Sequence, residues 1–167
     1  AIKSAKSQIL QIIFRFTYLC HKKDLIIEMV IPASFQPILE DYINAEPQFR
    51  VRMSLKYFKA VFNCCSSLIN DLAFSAYDLI MEATLPAILQ NNTDFIEIRS
   101  EFFEVTACIV HQYSSILASK ESDYINNFIK TLKFGAEHPN QSICENCIEL
   151  ISDLFMNFKN EMNPPER

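Results

Sequence analysis

Cys144-Glu-Asn-Cys147 is the one C-x-x-C in the 167 residues, and thiolates at that spacing serve structural zinc or thiol–disulfide exchange. Zinc needs a second ligand pair; His138 is near, but no fourth ligand presents itself. Two thiols three residues apart on an amphipathic helix then read as one core and one rim position. His111 falls toward the end of a helical pattern, with no Ser or Cys in a recognisable nucleophile motif to pair with, so a triad is not supported. The carboxylates Glu40/Asp41, Asp78/Glu82 and Glu101/Glu104 form pairs by spacing, yet each falls on the polar side of a helix, where solvated charge is the ordinary outcome. The sequence therefore assigns no catalytic, metal-binding or cofactor-binding residue, and the chain reads as a non-enzyme.

Composition narrows the class further. Gly135 is the single glycine, which excludes phosphate loops and dinucleotide fingerprints and argues against turn-rich β architectures. Half the residues are hydrophobic, enough to bury a substantial core. The net charge is −5 with basic residues scattered, so protein partners are expected rather than nucleic acid. Cys64 and Cys65 are neighbours inside a helical pattern and Cys108 sits within another, so the six cysteines read as buried thiols rather than disulfides. The triplets Asn91-Asn92-Thr93 and Asn140-Gln141-Ser142 would accept glycans only in a secreted chain and are taken as chance. No signal-peptide pattern and no run of about 20 apolar residues is present, so no membrane span is expected. The chain begins at Ala1 without methionine and reads as a piece of a longer protein.

The elements that would position any site are helices. Ile2, Ala5, Ile9, Ile12, Ile13, Phe16 and Leu19 form a stripe at spacings of three and four, predicting an inward-facing helix over 2–20. Asp24 is expected to cap an apolar run, Leu25 to Val30, which Pro32 kinks ahead of Phe35, Ile38, Leu39, Tyr42 and Ile43. Pro47 marks a turn, and Val51, Leu55, Phe58 and Phe62 line a third helix over 49–68. A fourth, over 74–90, turns Tyr77, Ile80, Met81, Leu85, Ile88 and Leu89 inward, with Pro86 bending it. Asp94 and Glu97 resemble a capping box before Phe95, Ile98, Phe102, Val105 and Ile109. Tyr124, Ile125, Phe128, Ile129 and Leu132 mark a sixth helix closed around Gly135 and Pro139; Ser142 opens a seventh along Cys144, Ile148, Ile151 and Phe155, ended by Pro164 and Pro165. The aromatics Phe14, Phe16, Phe58, Phe62, Phe102, Phe103 and Phe155 are assigned to the core.

First helices begin near Ile2, Gln48, Asp94 and Asn140, a spacing of about 46 that falls in the range of HEAT repeats. Second helices, from Pro32, Phe74 and Glu121, advance similarly. The expected fold is all-α, a HEAT-type helical-hairpin solenoid of about three to four repeats. Its hairpins cover 2–45, 48–91 and 94–138, with a lone helix over 140–158. An ordinary bundle of helices is the alternative, but it does not predict so even a spacing.

Asp78-x-x-x-Glu82-x-Thr84-Leu85-x-x-Ile88, then Phe95-x-Glu97-x-Arg99-x-x-Phe102-Phe103, resembles the C-terminal HEAT-repeat region of the exportin family that carries leucine-rich nuclear export signals, within the importin-β (karyopherin) superfamily. Pro32, Ile38-Leu39-x-Asp41-Tyr42, and Ile2-Lys3 with Leu10 and Ile12 extend the likeness over nearly the whole chain, weakening after Gly135.

The resemblance implies a binding module that shuttles between nucleus and cytoplasm, with the GTP form of Ran, cargo carrying leucine-rich signals and nucleoporins as partners of the full-length parent, and no direct nucleic acid or membrane. It also implies that this region lies outside the export-signal groove, and that inner second helices carry part of the Ran surface, where Asp78, Glu82, Lys130 and Lys133 are candidate positions. Repeat ends left uncovered are expected to self-associate. Competing readings are another helical-repeat scaffold, such as a phosphatase regulatory subunit or importin-like receptor, and a small helical enzyme using Cys or His.

Overall fold

The computed structural model describes residues 2–65, 68–90 and 95–162, and among them every regular element is helical. The elements are α1 (Ile2–Leu19), α2 (Lys23–Leu25), α3 (Ile31–Asn44), α4 (Arg52–Cys65), α5 (Asn70–Gln90), α6 (Ile96–Gln112), α7 (Ser114–Ala118), α8 (Ser122–Ala136) and α9 (Gln141–Met162). The fold is all-α and of the helical-hairpin repeat class, as the even helix spacing predicts. Asp94 and its proposed cap, the Asn91-Asn92-Thr93 triplet and the Pro164-Pro165 stop lie outside the described residues.

Between α2 and α3 the helix continues through a π-helical turn, Ile26–Val30. Pro32 offers no N–H to the carbonyl four residues back, and the ladder ahead of it widens, with the Ile31 N–H reaching the Ile26 carbonyl. This turn stands where a kink is expected. Asp24 lies inside the first turn of α2 and makes no cap; the capping position is Lys22, without a side-chain bond.

The chain divides within α6 into two packed units, Ala1–Val105 and Thr106–Arg167. In the first, α1 lies along α4, while α3 packs on both α4 and α5. Phe35 from α3 meets the α4 aromatics, 5.3 Å from Phe58 in an edge-to-face arrangement and 6.4 Å from Phe62. From α5, Tyr77 stacks on Phe102 of α6, centroids 6.4 Å apart. In the second unit α8 and α7 pack against α9. There the Asn157 side-chain amide donates to the Val110 carbonyl at 3.1 Å.

The core follows the predicted stripes in α3, α4 and α6, where Phe35, Ile38, Leu39, Tyr42, Val51, Leu55, Phe58, Phe62, Ile98, Phe102, Val105 and Ile109 are buried. It departs from them at three helices. In α1 the stripe predicted inward is turned to solvent: Ile2 is 86% exposed and Ile12 70%, and Phe16 and Leu19 are exposed too, whereas Leu10 and Thr17 are buried. In α9 Ile148 and Phe155 are exposed and Ile143, Cys147, Leu150 and Leu154 are buried, so the inward face is rotated by one position from that predicted. Leu89 of α5 is likewise exposed. Both α1 and α9 have two apolar stripes, and periodicity alone favours the richer one while neighbours in the chain cover the other.

The closing signals also shift. Gly135 sits inside α8, buried, and no described glycine has positive φ; that geometry falls to Phe95, φ 58°, ahead of α6. Asn140, not Ser142, caps α9, its side-chain oxygen accepting the Ile143 N–H at 3.3 Å. The segment Asn70–Leu89 of α5 is long and apolar enough to cross a membrane by length and composition, contrary to the expectation that no such stretch exists. Its Phe74, Tyr77, Ile80 and Ile88 are buried against neighbouring helices, as in the core helix of a globular protein.

Burial sets a limit at alkaline pH. The Tyr42 and Tyr57 phenols are pushed from 10.0 up to about 12, chiefly by desolvation, against the hydrogen bonds from Thr84 and Ser34 that lower them. Desolvation likewise pushes the Cys65 and Cys147 thiols from 9.0 up to about 12. All four groups keep their protons longer folded than unfolded, so the stability of their neutral forms is complete below the unfolded values and is lost as pH rises through the folded ones. Melting temperature followed by circular dichroism is expected to hold to about pH 9 and fall from there to about pH 12. A melting temperature unchanged between about pH 9 and about pH 12 would contradict this.

Candidate interaction surfaces

One row of contacts ties α4 to α6. Arg52 meets Glu97 at 3.2 Å, Lys56 meets Glu101 at 3.1 Å and Lys59 meets Glu104 at 2.6 Å, each pair 45 residues apart. The Lys3 ammonium donates to the Gln48 carbonyl at 2.9 Å, at the same separation from α1. A constant offset means that the helices sit side by side in one register. These partly exposed pairs contribute about 0 to 1 kcal/mol each, so they fix alignment more than stability.

Four of the six carboxylates that pair by spacing have partners of their own. Glu101 and Glu104 pair with lysines across helices, Asp41 pairs with Lys6, and Glu40 accepts from Gln36 at 2.8 Å. Each sits beside a cation or amide, and Asp41, Glu101 and Glu104 also line clefts at the surface. His111 Nε2 lies 3.0 Å from Asp153 Oδ2, half exposed, a surface pair. His138 is buried with Nδ1 accepting the Asn140 N–H at 2.9 Å, so it shapes the turn before α9. Cys144 Sγ donates to the Ala136 carbonyl at 2.9 Å and Cys147 is buried, a core position beside a rim position as expected. Among the described residues no cluster of three His, Cys, Asp or Glu side chains is placed to hold a metal ion.

Of the four candidate partner positions, Asp78 and Glu82 stand one turn apart on α5, Asp78 half buried and Glu82 exposed. Leu72, Leu79 and Leu89 are exposed on the same helix. Lys130 and Lys133 are exposed on α8, Lys130 reaching Asn127 at 3.4 Å and Lys133 reaching Glu137 at 3.8 Å. Asp78 and Glu82 belong to the first unit, and Lys130 and Lys133 to the second.

Sequence reasoning missed a set of buried polar groups that seat the second helices. Tyr42 and Thr84 share a hydrogen bond of 2.9 Å between α3 and α5. Arg50, ahead of α4, donates from Nε to the Tyr42 carbonyl at 3.1 Å and from Nη1 to the Ala83 carbonyl at 2.7 Å. Arg99 of α6, fully buried, donates from Nη2 to the Ile88 carbonyl at 2.8 Å, in the last turn of α5. Carbonyls of a last helical turn lack intrahelical donors, and a guanidinium there supplies both a donor and favourable charge. The signal was a polar residue on an apolar face: Thr84 between Ile80 and Ile88, and Arg99 three and four positions ahead of Phe102 and Phe103.

The family described as CRM1 C terminal matches residues 1–166. Exportin-1 of Schizosaccharomyces pombe is 22% identical over 156 residues, covering 93% of this chain and 14% of that relative. The chain thus spans about one-seventh of the length of the curated relative it matches.

Proposed function

The chain belongs to the CRM1 C-terminal family, and from that membership we propose that it is one segment of a nuclear export receptor, a stack of hairpins that binds and releases partners and performs no reaction. The observation that carries this reading is the family match over residues 1–166, joined to helices held in one register by pairs 45 residues apart. Hairpins over 2–45, 48–91 and 94–138 and the helix over 140–158 are read as successive repeats of one array.

In the parent receptor, cargo bearing a leucine-rich signal and the GTP form of Ran each favour the same curvature of the array, so each raises the affinity for the other. Hydrolysis of GTP on Ran releases both. The receptor shuttles between nucleus and cytoplasm through nucleoporin contacts. This segment lies outside the signal-binding groove and contributes second-helix positions to the Ran surface, with Asp78, Glu82, Lys130 and Lys133 the residues assigned. Exposed Ile2, Ile9, Ile12, Phe16 and Leu19 on α1 form an apolar face that further helices of the parent cover, and through which the isolated chain self-associates.

The test is the affinity of the parent for Ran loaded with GTP, measured with and without a leucine-rich signal peptide. The expected result is a gain of about 5- to 150-fold in Ran affinity when the peptide is bound. Equal affinities in the two conditions would reject the export reading and favour a scaffold.

A further inference from the structure

A cavity of about 880 Å3 opens between the N-terminal ends of α1, α4 and α6, within the first unit. Its walls carry three cations, Lys3, Arg50 and Arg52, against one carboxylate, Glu97, which is already paired with Arg52 at 3.2 Å. Arg50 is 7% exposed. Its Nε and Nη1 donate to carbonyls, its guanidinium lies 5.5 Å from the Tyr42 ring centroid, and among the described residues no carboxylate pairs with it and Nη2 makes no hydrogen bond. Lys3 also meets a carbonyl, that of Gln48 at 2.9 Å, and no carboxylate among the described residues.

Carbonyl dipoles orient a guanidinium but leave its full charge uncompensated, and an arginine does not escape the cost of burial by losing its proton. The backbone adds to the imbalance. The first amides of α4 and α6 have no intrahelical acceptors and give the same end of both helices a partial positive charge. Positive potential from side chains and backbone therefore converges on one opening. The cavity is far larger than a single oxyanion, and beside the cations it is walled by Val51, Phe95 and Ile98.

We propose that this cavity binds an acidic peptide segment, one carboxylate against Arg50 and Lys3 and an apolar neighbour against Val51, Phe95 and Ile98. The inference does not depend on the export reading, because it rests on charge and shape within this chain.

The test is fluorescence anisotropy on the 167-residue chain with a labelled hexapeptide, Asp-Glu-Leu-Glu-Asp-Phe. Binding is expected at low ionic strength, weakening roughly tenfold between about 50 and 300 mM salt. Lys3→Glu combined with Arg52→Glu changes two side chains at the rim and is expected to weaken binding roughly tenfold or more with the helical signal unchanged. Arg50→Gln is expected to lose at least as much, and the rim pair keeps the test decisive should that variant fold poorly. Lys159→Glu, at an exposed position on α9, leaves affinity unchanged. The proposal is overturned by a folded chain that does not bind the peptide, by unchanged affinity in the rim variant, or by equal loss in the α9 variant. Displacement of the peptide by inorganic phosphate as effectively as by unlabelled peptide would overturn it too, showing a site for a small oxyanion alone.

Discussion

Phe102→Asp leaves a chain with no cooperative thermal transition. Phe102 is completely buried, stacked on Tyr77 and 5.4 Å from Phe103 in an edge-to-face contact. Removing a buried aromatic ring costs about 3 to 5 kcal/mol, and placing a carboxylate in that cavity adds several more unless it takes a proton. A domain of this size has only about 5 to 15 kcal/mol in hand. Circular dichroism on heating is the measurement; a sigmoidal melt within a few degrees of wild type would show that α6 does not present this face to α5. Phe103→Asp is expected to behave the same way, since Phe103 is equally buried.

Arg99→Leu is expected to lower stability by about 2 to 4 kcal/mol, a fall in melting temperature on the order of 10 °C. Arg99 is fully buried, and its Nη2 bond to the Ile88 carbonyl closes the last turn of α5. Leucine fills part of the volume but leaves that carbonyl with no donor in a place water does not reach. Arg99→Lys recovers little, because one ammonium on a flexible stem does not reproduce the planar fork. Full stability in both variants would mean that the guanidinium merely fills space.

The contrast between Phe102 and Arg99 marks what sequence periodicity conveys. Phe102 is legible because Ile98, Phe102, Val105 and Ile109 recur at helical spacing on one face, and all four are buried. Helix class, the turn at Pro47 and the even offset of the first helices come from the same signal. Arg99 entered the sequence reading only as one letter of a resemblance, since a single buried polar side chain has no period. Thr84 entered only as another such letter, and Arg50 escaped for the same reason. In α1 and α9 the period was real but the face was wrong, because a stripe reports which side suits burial and not which neighbour is present to bury it. Leu10 and Thr17 are buried, while the richer row through Ile9, Ile12 and Phe16 is exposed. The candidate site was less legible still. The lysines of the ladder from Arg52 to Glu104 pair at separations of 45 residues, beyond the reach of any local pattern.

Several of the groups whose types could do chemistry have an ordinary partner: Lys6 for Asp41, Asp153 for His111, the Ala136 carbonyl for Cys144. The constant offset of 45 residues defines the register of α4 on α6.

That register is open to direct chemical measurement. Carbodiimide joins an ammonium to a carboxylate only when the two touch, so zero-length cross-linking of the folded chain followed by mass spectrometry reads the alignment of α4 on α6. The predicted products are Lys56–Glu101 and Lys59–Glu104, both at an offset of 45 residues, together with Lys6–Asp41 between α1 and α3. Products in which Lys56 and Lys59 join carboxylates at other offsets, with those two pairs missing, would contradict the stacked-hairpin account.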